Sequence, residues 1–402
     1  MEIIKNDKIQ KLQTPCFILN ENELKNCICE FKTALNKNFE NKNIIGYSVK
    51  TNSLPYCLKI AKENGCYAEV VSYHEYQLAI NIGFTKEHII YNGPLKSKKT
   101  FLDAIQHNAI VNIETWREIY WLNELPKNKI YEIGIRININ SSNISQEDAF
   151  SENDDSRFGF SYESGDLLKA IKLIQSKKHI KIVGIHSHKE PKTRSLRFYQ
   201  KVIKYVISII DSLQIDLKYW DLGGGFFGPM PNKPTFNDYS NSFYKELRNA
   251  NFWGYNIIIE PGNALISSSF TYICSVIDIK EHDGNIYITT DGTRNDIDPF
   301  FKKSDYFKSF IYTQKETISS QEQIIGGLTC LEYDRLFTLP KNSRTINIGD
   351  KIIFDRVGSY TMALTPLFIH YFPIVYLKTN TGEFRIIREE WDTKEFLMKS
   401  KY

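Results

Sequence analysis

The sequence lacks the features that mark nucleic-acid-binding and membrane proteins. Its 402 residues carry a formal net charge of only +4, and the one clear basic cluster, Lys96, Lys98 and Lys99, is not interleaved with aromatic residues, so nucleic acid is not an expected partner. The longest apolar stretches, such as residues 206–210, are far shorter than the ~20 residues of a membrane span. Because residues 1–6 also lack the apolar core of a signal peptide, the sequence predicts a cytoplasmic protein without a membrane partner.

Cysteine is scarce and is not spaced for a structural role. The seven cysteines show no C-x-x-C spacing, and Cys27 and Cys29 are too close together for a zinc knuckle. An odd number without an export signal predicts reduced thiols. We expect six of them to be small core residues, whereas Cys330 belongs to a motif described below. No metal site is predicted.

The first two thirds of the chain alternate short apolar runs with amphipathic stretches. Helical stretches such as 72–82 and 196–213 separate the runs, with roughly 20 to 40 residues per unit, as in barrels of alternating strands and helices. The apolar runs lie at 44–49, 68–71, 89–91, 109–113, 133–139, 182–185, 219–222 and 257–259. The sequence therefore predicts an α/β fold, a (β/α)8 TIM-like barrel over residues 24–266, with its chemistry at the carboxyl ends of the strands.

Beyond about residue 270 the pattern changes to strands separated by Gly, Asp and Asn. The strand-like runs there lie at 272–279, 285–290, 344–355 and 370–377. They predict a second, mostly antiparallel β domain over residues 267–402. The run at residues 15–19 also predicts a strand, and we expect residues 1–23 to join this domain from the other end of the chain.

Lys50 directly follows the predicted strand 44–49. A lysine at the exit of a buried strand is partly desolvated, which favours the neutral, nucleophilic amine. That form is required for imine formation with pyridoxal phosphate or a carbonyl substrate. Alone, the position is more typical of a surface lysine whose stem lies on apolar residues and whose amine reaches water.

Two further groups follow predicted strands. Gly223, Gly224 and Gly225 are consecutive, which lets backbone amides approach a phosphate, although such glycines also suit any tight loop. Glu260 leaves the apolar run 257–259 and needs a cationic or protonated partner. A pyridinium nitrogen would serve, and so would a nearby Lys or Arg.

His186 and His188 stand at alternate positions at another predicted strand end, so they would share one face of a continuing strand. A metal site would need a third ligand of similar kind, and none is evident. Ring stacking or a hydrogen-bonded core histidine is therefore favoured over a metal.

The order of these motifs resembles the fold-type III pyridoxal-phosphate (PLP) decarboxylases, which include diaminopimelate, ornithine and arginine decarboxylases and share their barrel with alanine racemases. Each motif is weak by itself, whereas their order along nearly the whole chain is specific. The matching blocks are Thr14-Pro15-Cys16-Phe17, Tyr47-Ser48-Val49-Lys50, Glu69-Val70-Val71-Ser72-Tyr73-His74-Glu75, Asn92-Gly93-Pro94-Leu95-Lys96, Arg136-Ile137-Asn138, Ser156-Arg157-Phe158-Gly159, His186 with His188, the triple glycine, Glu260-Pro261-Gly262, residues 330–334 and Gly358-Ser359-Tyr360.

The resemblance implies a role for each matched residue. Lys50, His188 and Cys330 would be catalytic: Lys50 would bind the PLP aldehyde, His188 would stack on the ring, and Cys330 would donate a proton. Cys330 would reach the active site of the second subunit, which implies a homodimer with two shared sites. The other cofactor contacts would be Gly223, Gly224, Gly225, Glu260, Gly262 and Tyr360, and the substrate contacts Arg157, Glu332 and Asp334.

The chain also departs from the family pattern. Decarboxylases of simple diamino acids resemble one another in having an acid after the cysteine for the distal amine of the substrate, and here that position is Leu331. Glu332 cannot be assumed to replace it, because neighbours on a strand face opposite ways. Lys189-Glu190-Pro191 stands where the family has Gly-Ser, and Asn263 where it has Arg, so the side-chain contacts of the phosphate stay open.

The predicted function is PLP-dependent removal of the α-carboxylate of an amino acid, with a non-standard, conjugated or carrier-bound diamino acid preferred because of Leu331. Diaminopimelate decarboxylation in lysine biosynthesis is an alternative. Two others are an amino-acid racemase, which would use a tyrosine as second base, and a non-catalytic PLP carrier. Cys330 in its motif and the presence of the whole β domain favour decarboxylation.

Overall fold

The computed structural model describes residues 7–40, 42–140, 144, 146–149, 156–190, 192–213, 215–252 and 254–401. Pro191, one of the departures from the family pattern, lies outside them. The chain divides into two compact units, one of Lys25–Leu265 and one of Met1–Leu24 with Ile266–Tyr402. We call them the barrel unit and the sheet unit.

Seventeen strands are formed by the described residues, most of them on β-branched and aromatic runs. In chain order they are β1 (Cys16–Asn20), β2 (Asn43–Ser48), β3 (Tyr67–Ser72), β4 (Ile89–Leu95), β5 (Ile110–Ile113), β6 (Tyr131–Arg136), β7 (Ile180–His186), β8 (Tyr219–Asp221), β9 (Asn256–Ile259), β10 (Phe270–His282), β11 (Asn285–Thr290), β12 (Lys308–Ile311), β13 (Gln323–Gly326), β14 (Arg335–Leu339), β15 (Lys351–Asp355), β16 (Ile374–Lys378) and β17 (Phe384–Arg388).

Helices follow most of the barrel strands. The helix Tyr73–Ile82 shows how local residues set the two ends of a helix. At its start the Ser72 side chain accepts a hydrogen bond from the Glu75 amide, and Gly83 ends it at φ 94°. No helix in the described ranges is long and apolar enough to cross a membrane. The α-helices are Asp7–Gln10, Glu21–Phe39, Pro55–Glu63, Tyr73–Ile82, Lys98–Gln106, Trp116–Trp121, Asp166–Gln175, Leu196–Leu213, Phe236–Asn249, Gly262–Ile266, Arg294–Ile297 and Thr393–Leu397, and the 3-10 turns are Val49–Thr51, Lys86–His88, Leu122–Glu124, Gln146–Asp148 and Ser267–Ser269.

In the barrel unit, β2 to β9 form a closed barrel in which each strand pairs in parallel with the next. β9 closes the ring onto β2, with Asn43 opposite Ile257. The Tyr219 ring fills part of the interior beside Gly184, where an added Cβ would lie 1.9 Å from the ring. The predicted (β/α)8 barrel is confirmed.

The sheet unit is a nine-stranded sheet in which β14, β13, β11, β10, β1, β16 and β17 follow one another, while β15 pairs with β10 and β12. Most pairs are antiparallel, whereas β1 with β16 and β11 with β13 are parallel. The predicted second β domain with an N-terminal strand is therefore confirmed. Its core includes Cys16, Ile18, Ile273, Ile353 and Ile374.

Two predicted strands of the sheet unit are shorter than expected: the run 370–377 is a strand only from Ile374, and the run 344–355 is divided by a turn. The run 344–355 is a strand only over β15. The Asn347 amide donates to Asp350 Oδ2 (2.8 Å) and the Asp350 amide to the Asn347 carbonyl (3.0 Å). These bonds close a turn in the middle of the run.

All seven cysteines are free thiols. Cys16, Cys27, Cys57, Cys66 and Cys274 are buried, but Cys29 is exposed on the helix Glu21–Phe39. The prediction of a core position was wrong for Cys29, because two residues along a helix turn the side chain by more than half a turn away from Cys27.

Candidate active site

Lys50 lies in the turn Val49–Thr51 immediately after β2. Its Nζ donates to Ser48 Oγ (2.9 Å) and to Glu69 Oε2 (2.7 Å). The Lys50 side chain is 38% exposed, whereas Glu69 at the same contact is 1% exposed. The amine is therefore held at the barrel mouth by groups from β2 and β3, with one side open for chemistry.

Asn92, on β4, joins this lysine pair to Glu260. Its amide nitrogen donates to Glu69 Oε1 (3.3 Å) and, through a short hydrogen bond, to Glu260 Oε1. Its amide oxygen accepts from Asn112 Nδ2 (2.8 Å), and Asn112 in turn accepts from the Tyr219 hydroxyl (2.9 Å). A continuous buried network thus fixes both carboxylates.

The electrostatics of Glu260 are dominated by burial and by other acids. Burial, followed by the charges of Asp221 and Glu69, raises the pKa of Glu260 well above its usual value. Burial likewise raises the pKa of Asp221 to about 7, although its hydrogen bond to Glu260 opposes the rise. The raised pKa values favour a proton shared between these two buried acids.

Glu260 has no Lys or Arg partner within salt-bridge distance among the described residues. Its nearest basic group is His186, with Nε2 3.8 Å from Oε2. Neither ring nitrogen of His186 has a hydrogen-bond partner in the described part of the chain. A buried carboxylate with acidic neighbours and no cation fits a protonated pyridine nitrogen, so the residues present fit PLP.

Burial favours the neutral form of both His188 and His186. Burial, then the charge of Arg136, lowers the pKa of each well below its usual value. The rings are nearly parallel, at 17°, with centroids 6.3 Å apart. His188 Nδ1 accepts a hydrogen bond from the Gly224 amide (2.9 Å). This hydrogen bond fixes the orientation of the His188 ring.

His186, Asp221 and Glu260 also offer three potential metal ligand atoms within 4.8 Å of one another. This donor set was not predicted from the sequence, because its members come from the ends of three different strands. Metal ligands must be deprotonated, and the raised pKa values of both acids favour a shared proton at this position.

The glycine turn needs its glycines. Gly223 has φ 71°, and an added Cβ would lie 2.3 Å from His188 Nδ1. Its amide donates to Asp221 Oδ1 (2.9 Å), and its carbonyl accepts from the Glu260 amide (2.7 Å). Gly225, at φ 92°, also takes the left-handed conformation. The turn is thereby attached to His188 and to Glu260.

Two more of the predicted contacts lie in the barrel unit. Gly262 lies against Thr51, whose Oγ1 would be 2.3 Å from an added Cβ. Arg157 is exposed, with its guanidinium carbon 4.5 Å from the Phe158 ring centroid. Together with Arg136 and His188 it lines a hollow of about 400 Å3, large enough for an amino acid.

In the sheet unit, Cys330 and Glu332 are exposed and Leu331 is half-buried. The Asp334 amide donates to the Leu331 carbonyl (2.9 Å), which closes a turn. The strand alternation argument applied to Glu332 was therefore wrong, because this segment is not a strand. Tyr360 is 37% exposed and has φ 64°.

Asp334 differs from its neighbours because its carboxylate is buried and fully engaged. It accepts from Thr293 Oγ1 (3.0 Å), the Arg294 amide (2.8 Å) and both the amide (3.1 Å) and the hydroxyl (2.6 Å) of Thr329. Four donors from its own unit favour a structural role. Asp334 as a substrate contact stays a prediction.

Several site residues were not assigned from the sequence. They are polar side chains within or directly after apolar strands: Ser48, Glu69, Asn92, Asn112 and Asp221, all buried. A buried polar group must find a partner, so an isolated polar residue in an apolar run is the signal that would have indicated them.

The comparisons with known proteins agree with this geometry. The family model described as pyridoxal-dependent decarboxylase, pyridoxal binding domain, matches residues 25–267, and the model for the C-terminal sheet domain of the same enzymes matches residues 205–358. Diaminopimelate decarboxylase of Aquifex aeolicus is 26% identical over 365 residues, 89% of this chain and 84% of the relative. That of Campylobacter jejuni is 24% identical and covers 94% of both.

Solved structures of the same kind share the fold. Diaminopimelate decarboxylase from M. jannaschii in complex with L-lysine superposes with a TM-score of 0.84 at 21% identity, over 98% of this chain and 93% of that one. Arginine decarboxylase of Paramecium bursaria Chlorella virus gives 0.76 at 18% identity, over 91% and 96%. The first family model alone spans more than half of the chain and carries Lys50 and Glu260. This chain belongs to the pyridoxal-dependent decarboxylases, so the predicted family, cofactor and enzyme class are confirmed.

Proposed function

We propose that this chain removes the α-carboxylate of an amino acid at the barrel mouth, with Lys50 as the covalent anchor of PLP. The main observation behind this proposal is that three buried acids, Glu69, Asp221 and Glu260, lie in the site of Lys50. We call this excess of buried carboxylates the acid surplus. When bound, PLP supplies the electron sink that loss of carbon dioxide requires. A protonated ring nitrogen would also supply the positive charge that Glu260 lacks.

The roles of the chain's own residues follow from their contacts. Ser48 Oγ and Glu69 Oε2 hold Lys50 Nζ, so they can keep the amine in place while the substrate is bound. Glu260 would hold the ring nitrogen, with Asn92 as the donor that orients it. His188 would lie on the ring face, since its own ring is fixed by the Gly224 amide.

The substrate proposal rests on Leu331. A half-buried leucine beside Cys330 offers no charge to a free distal amine, so we propose an amino acid whose far end is conjugated, carrier-bound or otherwise uncharged. The second candidate is meso-diaminopimelate, which is favoured because the similar curated proteins from A. aeolicus and C. jejuni carry the name diaminopimelate decarboxylase.

A panel assay separates the two candidates. The purified, PLP-loaded protein is incubated with meso-diaminopimelate, ornithine, lysine and arginine, and with the same amino acids acylated at the distal amine, and products are identified by mass spectrometry. Turnover of conjugates alone supports the first candidate. Efficient turnover of free meso-diaminopimelate supports the second and rules out the first. Retained carboxylate with an altered Cα configuration would contradict decarboxylation altogether.

We also propose that the active unit is a homodimer in which Cys330 of one copy donates a proton in the barrel of the other. Its exposure leaves the thiol available to such a partner. Mixing Lys50→Ala and Cys330→Ala proteins tests this directly. Each should be inactive alone, and the mixture should regain up to roughly a quarter of wild-type activity, as two-fold pairing of the subunits allows. An inactive mixture of mixed dimers would contradict the shared site.

A further inference from the structure

The glycine turn presents backbone donors that the protein itself does not use. The Gly223 amide donates to Asp221 Oδ1 and the Gly224 amide to His188 Nδ1. The next two amides, of Gly225 and Phe226, have no acceptor among the described residues. Adjacent unpaired N–H groups in a turn with left-handed glycines form a receptor for an anion.

Arg194 is held beside this turn by two contacts. The Tyr239 hydroxyl donates to the Arg194 carbonyl (2.8 Å) and accepts from the Phe227 amide (3.3 Å), so one side chain joins both backbones. The guanidinium carbon lies 5.5 Å from the Phe227 ring centroid. Arg194 also has φ 53°, a conformation that non-glycine residues adopt when the surroundings require it.

The charge of Arg194 acts on a tyrosine that contacts the turn. The Tyr199 hydroxyl donates to the Gly224 carbonyl (3.2 Å). Burial raises the pKa of Tyr199, Arg194 lowers it, and Glu190 raises it. The Arg194 field therefore reaches a group in direct contact with the turn.

The counter-ion of Arg194 is weakly held. Glu190 Oε1 is 3.8 Å from Nη2 and its side chain is 60% exposed, whereas the Arg194 side chain is 27% exposed. Exposed pairs at this distance contribute little. A dianion beside the turn can therefore displace Glu190 at small cost.

We propose that Arg194 supplies the side-chain cation for the phosphate of PLP, in place of the contacts that the departures at Glu190 and Asn263 leave open. A guanidinium presents paired N–H donors that match phosphate oxygens, and it adds to the donors of the turn. The inference rests on the proposed function, because it takes the group bound at the turn to be the phosphate of the anchored cofactor.

Binding titrations of the full chain freed of cofactor test the proposal. Dissociation constants for PLP and for pyridoxal, which lacks the phosphate, are measured by absorbance for wild type, Arg194→Gln and Arg194→Lys. Arg194→Gln should weaken PLP binding about 10- to 100-fold, as expected for a lost charge-assisted contact, and leave pyridoxal binding unchanged. Arg194→Lys keeps the charge, so its dissociation constant for PLP should lie between those of wild type and Arg194→Gln.

Lys233 provides a matched control. Its Nζ lies 5.1 Å from the centroid of the same Phe227 ring and Lys233 itself is exposed, unlike the partly buried Arg194, so Lys233→Gln removes an equal charge and should leave both affinities unchanged. Equal losses for PLP and pyridoxal in Arg194→Gln, or no loss, would overturn the role of Arg194. If wild type binds neither compound, the proposed function fails instead.

Discussion

Two buried carboxylates, one in each unit, have opposite surroundings. Asp334 of the sheet unit is 4% exposed and Glu260 of the barrel unit is 5% exposed. Asp334 accepts four hydrogen bonds, from Thr293, Arg294 and Thr329. The negative charge of such a carboxylate is balanced by hydrogen-bond donors of the protein, so the carboxylate stabilises the fold.

Glu260 lacks that compensation. It accepts from Asn92, but Asp221 and Glu69 add to the burial that raises its pKa. Burial alone therefore does not separate structural from functional acids. What separates them is whether the protein's own donors balance the charge, because an unbalanced site is one that a ligand completes.

The largest effect is expected for replacement of Lys50, the amine beside the buried acids of the barrel unit. Lys50→Ala should lower activity by about 10³-fold or more, because the covalent anchor is lost, and should abolish the borohydride-trapped cofactor adduct seen by mass spectrometry. Lys59→Ala is the control, since that lysine is 57% exposed and pairs with the exposed Glu63. An adduct that survives in Lys50→Ala would contradict the anchor.

Glu260→Gln should lower kcat by about 10²-fold, since a neutral amide cannot balance a protonated ring nitrogen. The same change should leave the cofactor-free protein as stable as wild type or more so, because it removes an acid that burial already forces to hold a proton. Paired kinetic and thermal unfolding measurements check both. If Glu260→Gln lost stability and kept the wild-type kcat, Glu260 would have a structural role like that of Asp334.

Asp334→Asn should have the opposite effect to Glu260→Gln: lower stability without loss of cofactor binding. Leaving buried donors without a carboxylate should reduce the free energy of unfolding by about 1–3 kcal/mol, measured by urea titration, with PLP affinity unchanged. Glu332→Gln is the matched control, because Glu332 is exposed in the same turn and its loss should not alter stability. A selective loss of substrate affinity in Asp334→Asn would instead favour the predicted substrate contact.

The smallest effect is a pH dependence. Asp221 has its pKa raised from 3.8 to about 7 in the folded protein, so the folded state holds a proton that the unfolded chain releases at lower pH. The contribution of Asp221 to the stability of the cofactor-free protein should therefore fall as pH rises from about 4 to 7, whereas His186 and His188, whose pKa values burial lowers, contribute with the opposite sign. Glu75, also raised to about 7, contributes with the same sign as Asp221.

Melting temperatures measured across that pH range check the slope. Asp221→Asn should shift the slope in the positive direction relative to wild type, because the contribution of Asp221 that falls with pH is removed while those of Glu75 and Glu260 stay. Glu63→Gln, an exposed acid, should leave the slope as in wild type. A pH slope in Asp221→Asn equal to that of wild type would contradict the prediction.

Much of the fold was predictable because periodicity is local. The helix Leu196–Leu213 was predicted at its observed bounds, since its buried residues recur with helical spacing. The run 344–355 was not divided correctly, because the turn that divides it depends on the single side chain of Asp350. Cys29 shows the same limit, since composition does not tell which side of a helix faces the core.

The candidate site was predictable in its anchors but not in its connections. Lys50 and Glu260 leave apolar strands, and the family resemblance gave their order. The Asn92 and Asn112 network was not predictable, because it joins residues from separate strands that only barrel closure brings within hydrogen-bond distance. The role of Arg194 likewise depends on a tertiary contact, the Tyr239 hydrogen bond.

The position of β1 bears on how the chain folds during synthesis. This strand lies between β10 and β16, with Cys16 opposite Ile273 on one side and Ile374 on the other. Most barrel strands pair between sequence neighbours and can assemble early, whereas β1 must wait for β10 and β16, which are made after the whole barrel unit. Until then it exposes two unpaired edges that invite aggregation. Expression should therefore tolerate changes before β1 far better than changes within it.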